Sequence, residues 1–561
     1  MCFGHFFHCL GVGLGLLSGV LMVRAQDSIP PEAAALFQSA EQFQKAGQIE
    51  QAQADYQRII ESFPGTPLAA QAQAKIVCVR LEAGDLSGAD AELETLFSVY
   101  SGQTEPFTRS IYPILNRYVY RKEYEKAVEA GRRALQLYPT HGHSFSTRAV
   151  MAEALVQLNR TGEADALVEE MFSLYRGRED FVPFVHTVKS AYWKAGQKEK
   201  SQVLCRRLLE EFPEHPMAAR LWGDWICGAM VLGQEDGVEE AIETLLARPE
   251  PAEEFLSAVI RIQERSLAQN DYSRVLSVGT RALEKYPFRP ERMWIYRYLA
   301  EASAGMQDAS AAEQWARRLT QECGGQAEFG QAAVQTGHGL RRHGLYAAAA
   351  EVYGAVLGQG RNPAEELCAL TGMAQSYIHL GEDGRVEQIV ERIMTDYRGQ
   401  EKLGYSVFVI GEEYLVQAEL ALQAGHQTEA EENYQRAERV WKINRYRIPE
   451  DPKHQAMATH FTGWTYHQCG DYKRAVELYE ETLETWPSYE KAWQCAMVAV
   501  NCYEKLAIAG VLSRPEANAF IKKCYEQILN NPQSCPAPIQ YRIRNQIEQI
   551  EQAGSPSENK K

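Results

Sequence analysis

The sequence predicts an all-α solenoid of about 12–13 helix–turn–helix repeats, and three columns of residues carry that expectation. The first is a column of helix stops: Gly47, Gly84, Lys122, Asn159, Gly196, Gly233, Asn270, Gln307, Gly344 and Gly381, separated by 37, 38 and then seven further steps of 37. It continues at Gly425 and Gly470 after steps of 44 and 45. Ten of these twelve positions are Gly or Asn, the residues that best tolerate the left-handed conformation that ends a helix. The second column lies five residues further on: Ala52, Ala89, Ala127, Ala164, Ser201, Val238, Val275, Ala312, Ala349, Val386, Ala430 and Ala475. Every member is small or β-branched, as a close crossing of two helices requires. The third is the pair of offsets nine and twelve past the stop, occupied for example by Tyr56 and Ile59, Cys205 and Leu208, Tyr353 and Val356. Offsets of 5, 9 and 12 share one helical face.

Taken in chain order, residues 3–23, "FGHFFHCLGVGLGLLSGVLMV", carry no formal charge, and Val23-Arg24-Ala25 places small residues three and one before Gln26. This pattern predicts a secretory signal peptide over residues 1–25 and export of the mature chain. The segment before the apolar run has no Lys or Arg, and 21 residues also suffice for an uncleaved membrane anchor, so both outcomes stay open. Cys9 follows Phe7-His8 rather than small residues, so no lipid anchor is expected. Residues 33–401 hold ten repeats. The small residue seven before the stop (Ala40, Ala152, Ala300, Gly337, Ala374) marks the first helix, and Lys189 and Gln263 interrupt that column. A second period of 74 residues overlies the first: Phe107, Phe181, Phe255 and Phe329 are evenly spaced. Alternate repeats close with aromatic-Pro (Phe63-Pro64, Tyr138-Pro139, Phe212-Pro213, Tyr286-Pro287), while others close with Tyr-x-Gly (Tyr100 to Gly102, Tyr175 to Gly177, Tyr397 to Gly399). Proline and glycine demand different turns, so the structural unit is expected to be a pair of repeats. Residues 402–532 hold longer repeats. Residues 533–561 form a C-terminal segment whose end, "AGSPSENKK", reads as a disordered polar tail.

The segments "FQSAEQFQKAGQIEQAQADYQRIIESFP" (Phe37 to Pro64) and "TGWTYHQCGDYKRAVELYEETLETWP" (Thr462 to Pro487) resemble the tetratricopeptide repeat, and Trp464, Gly470, Asp471, Tyr472, Ala475, Tyr479 and Pro487 fall on its signature spacing. The resemblance covers roughly residues 33–532. It implies a right-handed superhelix whose first helices line a concave groove for a protein or peptide partner. "FPGTPLAAQAQ" and "FPEHPMAARLW" are similar to repeats of bacterial envelope proteins, namely outer-membrane assembly lipoproteins and Tol–Pal-associated repeat proteins. That likeness implies a periplasmic or extracellular location, association with envelope membrane complexes, and a role in assembling or maintaining the envelope. An accessory role in polysaccharide binding or export is the alternative. The chaperone-tail clamp of some relatives needs Lys and Asn at set groove positions; Asn116 alone fits, so that activity is not implied.

Chemistry is absent from the motifs. The chain has no nucleophile elbow, phosphate loop, strand-linked dinucleotide fingerprint or H-E-x-x-H, so neither catalysis nor a cofactor is expected. His141-Gly142-His143 offers two imidazoles with no third ligand nearby in sequence, so no metal is expected. A net charge of −16 disfavours nucleic acid. The basic cluster Arg439, Lys442, Arg445 and Arg447, interleaved with Trp441 and Tyr446, reads as a solvated helix end. Cys524 and Cys535 are the expected disulfide, since they straddle the turn at Pro532.

Helical register then selects the groove. Arg109, Tyr112, Asn116 and Tyr120 in the third repeat, and His186 and Trp193 in the fifth, are expected to point outward from first helices. So are Trp294 and Arg297 in the eighth, His338 and Arg341 in the ninth, and His460 and His467 in the twelfth. Aromatic and Arg side chains are the usual energetic anchors of interfaces.

Overall fold

All twelve expected stops take a left-handed backbone, and Lys122 (φ 65°), Asn159 (59°), Asn270 (59°) and Gln307 (65°) are the non-glycine residues that do so. A thirteenth stop, Gly510, joins them at φ 72°. The computed structural model describes residues 30–249, 252–358, 362–530 and 535–554. The signal-peptide and anchor expectations, and the last seven residues of the expected tail, lie outside them.

Among the described residues there are 27 helices and no strand. The first ten are α1 (Pro31–Lys45), α2 (Ile49–Ser62), α3 (Pro67–Ala83), α4 (Leu86–Tyr100), α5 (Thr104–Tyr120), α6 (Tyr124–Leu137), α7 (Ser144–Gln157), α8 (Thr161–Tyr175), α9 (Phe181–Lys194) and α10 (Lys198–Glu211). Then come α11 (Ala218–Leu232), α12 (Val238–Ala247), α13 (Ala252–Ala268), α14 (Tyr272–Lys285), α15 (Arg292–Gly305), α16 (Ala309–Cys323), α17 (Phe329–Arg342), α18 (Tyr346–Gly354), α19 (Pro363–His379) and α20 (Asp383–Asp396). The last seven are α21 (Leu403–Gln423), α22 (Gln427–Arg447), α23 (Pro452–Gln468), α24 (Tyr472–Thr485), α25 (Ala492–Ile508), α26 (Arg514–Asn530) and α27 (Ala537–Gly554). Odd-numbered helices up to α25 are first helices of repeats and even-numbered ones are second helices; α27 follows the last pair. The chain is an all-α repeat solenoid. It divides into two compact units, residues 1–234 and 235–561.

The columns explain the core. All twelve members of the small column have at most 1% of their surface exposed, because the second helix crosses its neighbour there. Tyr56, Cys205, Tyr353 and Tyr479, four members of the offset-nine column, are wholly buried. Volume is conserved across the crossing. Tyr353 and Tyr479 press against Gly337 and Gly463, where any Cβ would collide or crowd, whereas Gly131 leaves room for Met151 and Leu115.

The 74-residue period also has a structural basis. Phe107, Phe181 and Phe255 each lie in the first turn of a first helix and meet the aromatic that closes the same repeat: Tyr138 at 5.9 Å, Phe212 at 5.2 Å and Tyr286 at 5.3 Å between ring centroids. The pre-proline caps Phe63, Tyr138, Phe212 and Tyr286 share φ near −129° to −135°, since proline excludes the helical region for its predecessor. After Tyr100 and Tyr175 the chain instead stays helical for one more residue, at Ser101 and Arg176. Ion pairs between second helices follow the same period: Arg133 with Glu94, Arg207 with Glu169 and Arg281 with Glu243.

α27 was not anticipated within the C-terminal segment and ends just inside the expected tail. It packs on α26 through Ile543 and, more loosely, Ile547 and Ile550, which continue the core of α24–α26. The disulfide expectation also fails: Cys524 and Cys535 are free thiols. Cys524 points from α26 into a core that also holds Cys495 and Cys502, and Cys535 sits beside Pro536.

Candidate partner-binding groove

Successive first helices pack against one another from α1 to α9 and again from α13 to α23. Every expected anchor lies on one of these first helices.

In the first unit, Arg109 is exposed and Tyr120 is 82% exposed on α5. Tyr112 and Asn116 are half-buried. The Tyr112 ring meets Phe184 of α9 edge-on at 5.5 Å, so these two helices touch over the intervening α7. His186 is mostly buried and hydrogen-bonds Asp224 at 2.8 Å. Burial lowers its basicity despite that carboxylate. Asp224 also pairs with Lys189, which explains how a lysine interrupts the small-residue column. Trp193 is half-buried beneath Lys198, 5.6 Å from the ring centre.

In the second unit, three expected anchors converge. Arg297 of α15 stacks over Tyr298 at 4.2 Å and lies 3.6 Å from Glu301, a carboxylate only 2% exposed. Arg342 of α17 pairs with the same Glu301. His338 of α17 is open to solvent at its edge but walled by neighbouring side chains, and its Nδ1 hydrogen-bonds the Tyr353 hydroxyl at 2.6 Å. That crowding, together with the guanidinium groups of Arg341, Arg342 and Arg297, pushes the imidazole down to about 4. It therefore stays neutral among three cations. Arg341 donates to Glu413 of α21 at 2.9 Å. Glu413 also accepts from His379 at 2.7 Å and from Gln375 at 3.0 Å. Burial would raise this carboxyl, but His379 and Arg341 outweigh it and hold it low. Tyr346 stacks on His379 at 4.0 Å. Trp294 is half-buried and donates to Glu328 at 3.2 Å.

The twelfth repeat departs from the register reading. His460 is buried rather than outward: it contacts the Tyr489 hydroxyl at 3.2 Å and Phe461 at 5.0 Å, and burial and Lys491 push it down to about 4. His467 is half-buried, stacked on Trp464 and 3.3 Å from Asn501. Phe184, Asp224, Gln375, His379 and Glu413 were missed by sequence reasoning. Phe184 and Glu413 each lie 72 residues beyond their partners Tyr112 and Arg341, just short of two repeats, and that spacing was the available signal.

Other candidates resolve into structure. Glu105 of α5 lies between His141 (3.1 Å) and His143 (2.9 Å) and braces their turn. Among the described residues no group of three or more His, Cys, Asp or Glu is placed to hold a metal ion. Nor is any described helix long and apolar enough to cross a membrane. In the basic cluster, Trp441 is wholly buried, while Lys442, Arg445 and Arg447 pair with Glu438, Glu481 and Glu391.

Family models of the tetratricopeptide repeat match residues 34–66 and 415–490. Those two segments are tetratricopeptide repeats. One similar solved structure is the APC/C hetero-tetramer Cut9–Hcn1, at 12% identity over 93% of this chain and 96% of that one, with a TM-score of 0.28. Another is a tetratricopeptide repeat protein from Parabacteroides merdae ATCC 43184, at 15% identity over 48% of this chain and 98% of that one, with a TM-score of 0.29. At such scores neither likeness bears on how this chain works. No curated protein matches it.

Proposed function

We propose that this protein is a non-catalytic scaffold that holds a protein or peptide partner against the first-helix face of its tetratricopeptide repeats. What supports the reading is that Arg109, Tyr120 and His338, all on first helices, remain open to solvent while their neighbours are held by packing and ion pairs. The test uses the full chain immobilised in extract from its own source, beside Arg109→Glu/Tyr120→Ser. The expected result is a discrete partner retained by the natural chain and lost by the variant, with equal helicity in both. Equal retention by both would place the partner surface elsewhere.

Export and an envelope role belong to the same proposal. They rest on the apolar run of residues 3–23, on Val23-Arg24-Ala25 and on the two short Pro-bounded segments. N-terminal sequencing of the native protein should begin at Gln26. Met1 retained on soluble cytosolic protein would overturn export, and Met1 retained on membranes would favour an anchored form.

A further inference from the structure

Arg341 and Glu413 belong to first helices two repeats apart. Neighbouring helices pack about 8–10 Å apart, so α17 and α21 would stand roughly 16–20 Å apart if α17, α19 and α21 lay flat. Extended Arg and Glu side chains can close that gap, so the 2.9 Å contact ties α17 to α21 directly across α19. The carboxylate is held from the middle helix too, by Gln375 and His379. Tyr346, at the start of α18, covers His379. Glu413 thus gathers donors from two helices while remaining 14% exposed, and Arg341 remains 25% exposed. The first unit makes the corresponding contact with apolar groups, Tyr112 against Phe184 over α7.

We propose that Arg341–Glu413 is a releasable strap that sets how tightly the inner face of the second unit is curved. A charge pair at the groove surface, unlike the aromatic contact of the first unit, exchanges with water or with another anion when the helices part. It is therefore the point at which this groove opens. The proposal rests on the groove reading only for its purpose, and its test needs no partner.

Nitroxide side chains are introduced as non-canonical residues at exposed Glu351 on α18 and Gln435 on α22, leaving the native thiols untouched. Their separation is measured by double electron–electron resonance in the full chain. The unmodified strap should give one narrow distance. Glu413→Gln, and independently Arg341→Met, which keeps the buried stem, should lengthen and broaden it by several ångström with unchanged helicity by circular dichroism. An unchanged distance in both folded variants would overturn the strap, leaving an ion pair without conformational effect. Loss of helicity in both would overturn it as well, by making the cluster part of the folding core.

Discussion

Gln263 occupies the space that Gly279 leaves empty. Gln263 stands where several other repeats carry Ala or Gly, is wholly buried, and donates from Nε2 to the Val275 carbonyl at 3.1 Å. A Cβ on Gly279 would fall inside the contact distance of that same nitrogen and of a Leu299 methyl. Gly279→Ala should therefore overpack the crossing and destabilise by about 1–3 kcal/mol. The eighth repeat solves the same crossing with Ala300 and Ala316, both buried. Gln263→Ala/Gly279→Ala recreates that pair, so the double variant should be more stable than Gly279→Ala alone. Urea denaturation of the four-membered cycle checks this; simple additivity would show that the two sites do not share the space.

Lys122 and Gln307 are the two stops that are neither Gly nor Asn, yet both hold φ 65°. A side chain with a Cβ pays about 1 kcal/mol or more there, partly offset by the greater unfolded-state freedom of glycine. Lys122→Gly and Gln307→Gly should each stabilise by roughly 0.5–1 kcal/mol, and Asn159→Gly by less. Urea midpoints at constant slope are the measurement; a fall in midpoint would mean that these side chains make compensating contacts.

These cases show what the sequence makes legible. Backbone punctuation and crossing points repeat at fixed offsets, so Gly47 through Gly470 and Ala52 through Ala475 could be read directly. Which groove residues remain free could not, because that depends on partners far along the chain. Arg341 is an outward position by register, but Glu413 captures it from 72 residues away. His460 lies on the expected face, but Tyr489 and Phe461 close over it. α27 was hidden by Pro536 and by a helix face whose only deeply buried residue is Ile543.

The buried His460 gives stability a defined pH dependence. Its folded pKa is about 4, against about 6.5 when unfolded. As pH falls, the unfolded chain takes the proton first. The stability linked to neutral His460 is thus complete above about pH 7, declines between about 6.5 and 4, and is lost below that. The span corresponds to about 3–3.5 kcal/mol. His338 and His186 are shifted in the same direction and act in the same sense. Denaturation of the natural chain and of His460→Gln at pH 7.5 and 4.5 checks this. The variant should start less stable, having lost the Tyr489 contact, but should lose less on acidification. Equal losses would show that His460 is protonated in the native state.

Arg109 and Arg297 were alike in the sequence, and the structure separates them. Arg109 is exposed on α5, and reversing its charge should change stability by no more than about 0.5 kcal/mol. Arg297 is held over Tyr298 and beside a Glu301 carboxylate that is almost wholly buried. Arg297→Glu would set a second carboxylate one helical turn from the first, leaving only Arg342 to neutralise both. Removing one partner of a buried pair costs about 3–5 kcal/mol, so a loss near the lower end is expected, since Arg342 remains. Arg297→Met, which keeps the apolar stem over Tyr298, should cost less than Arg297→Glu. Thermal melts of the three single variants decide the matter. If Arg297→Glu melts with the natural chain, Glu301 is neutral or solvated and the inner face is looser than described. If Arg109→Glu falls instead, that arginine is structural and cannot serve as the clean probe of partner binding that its exposure makes it.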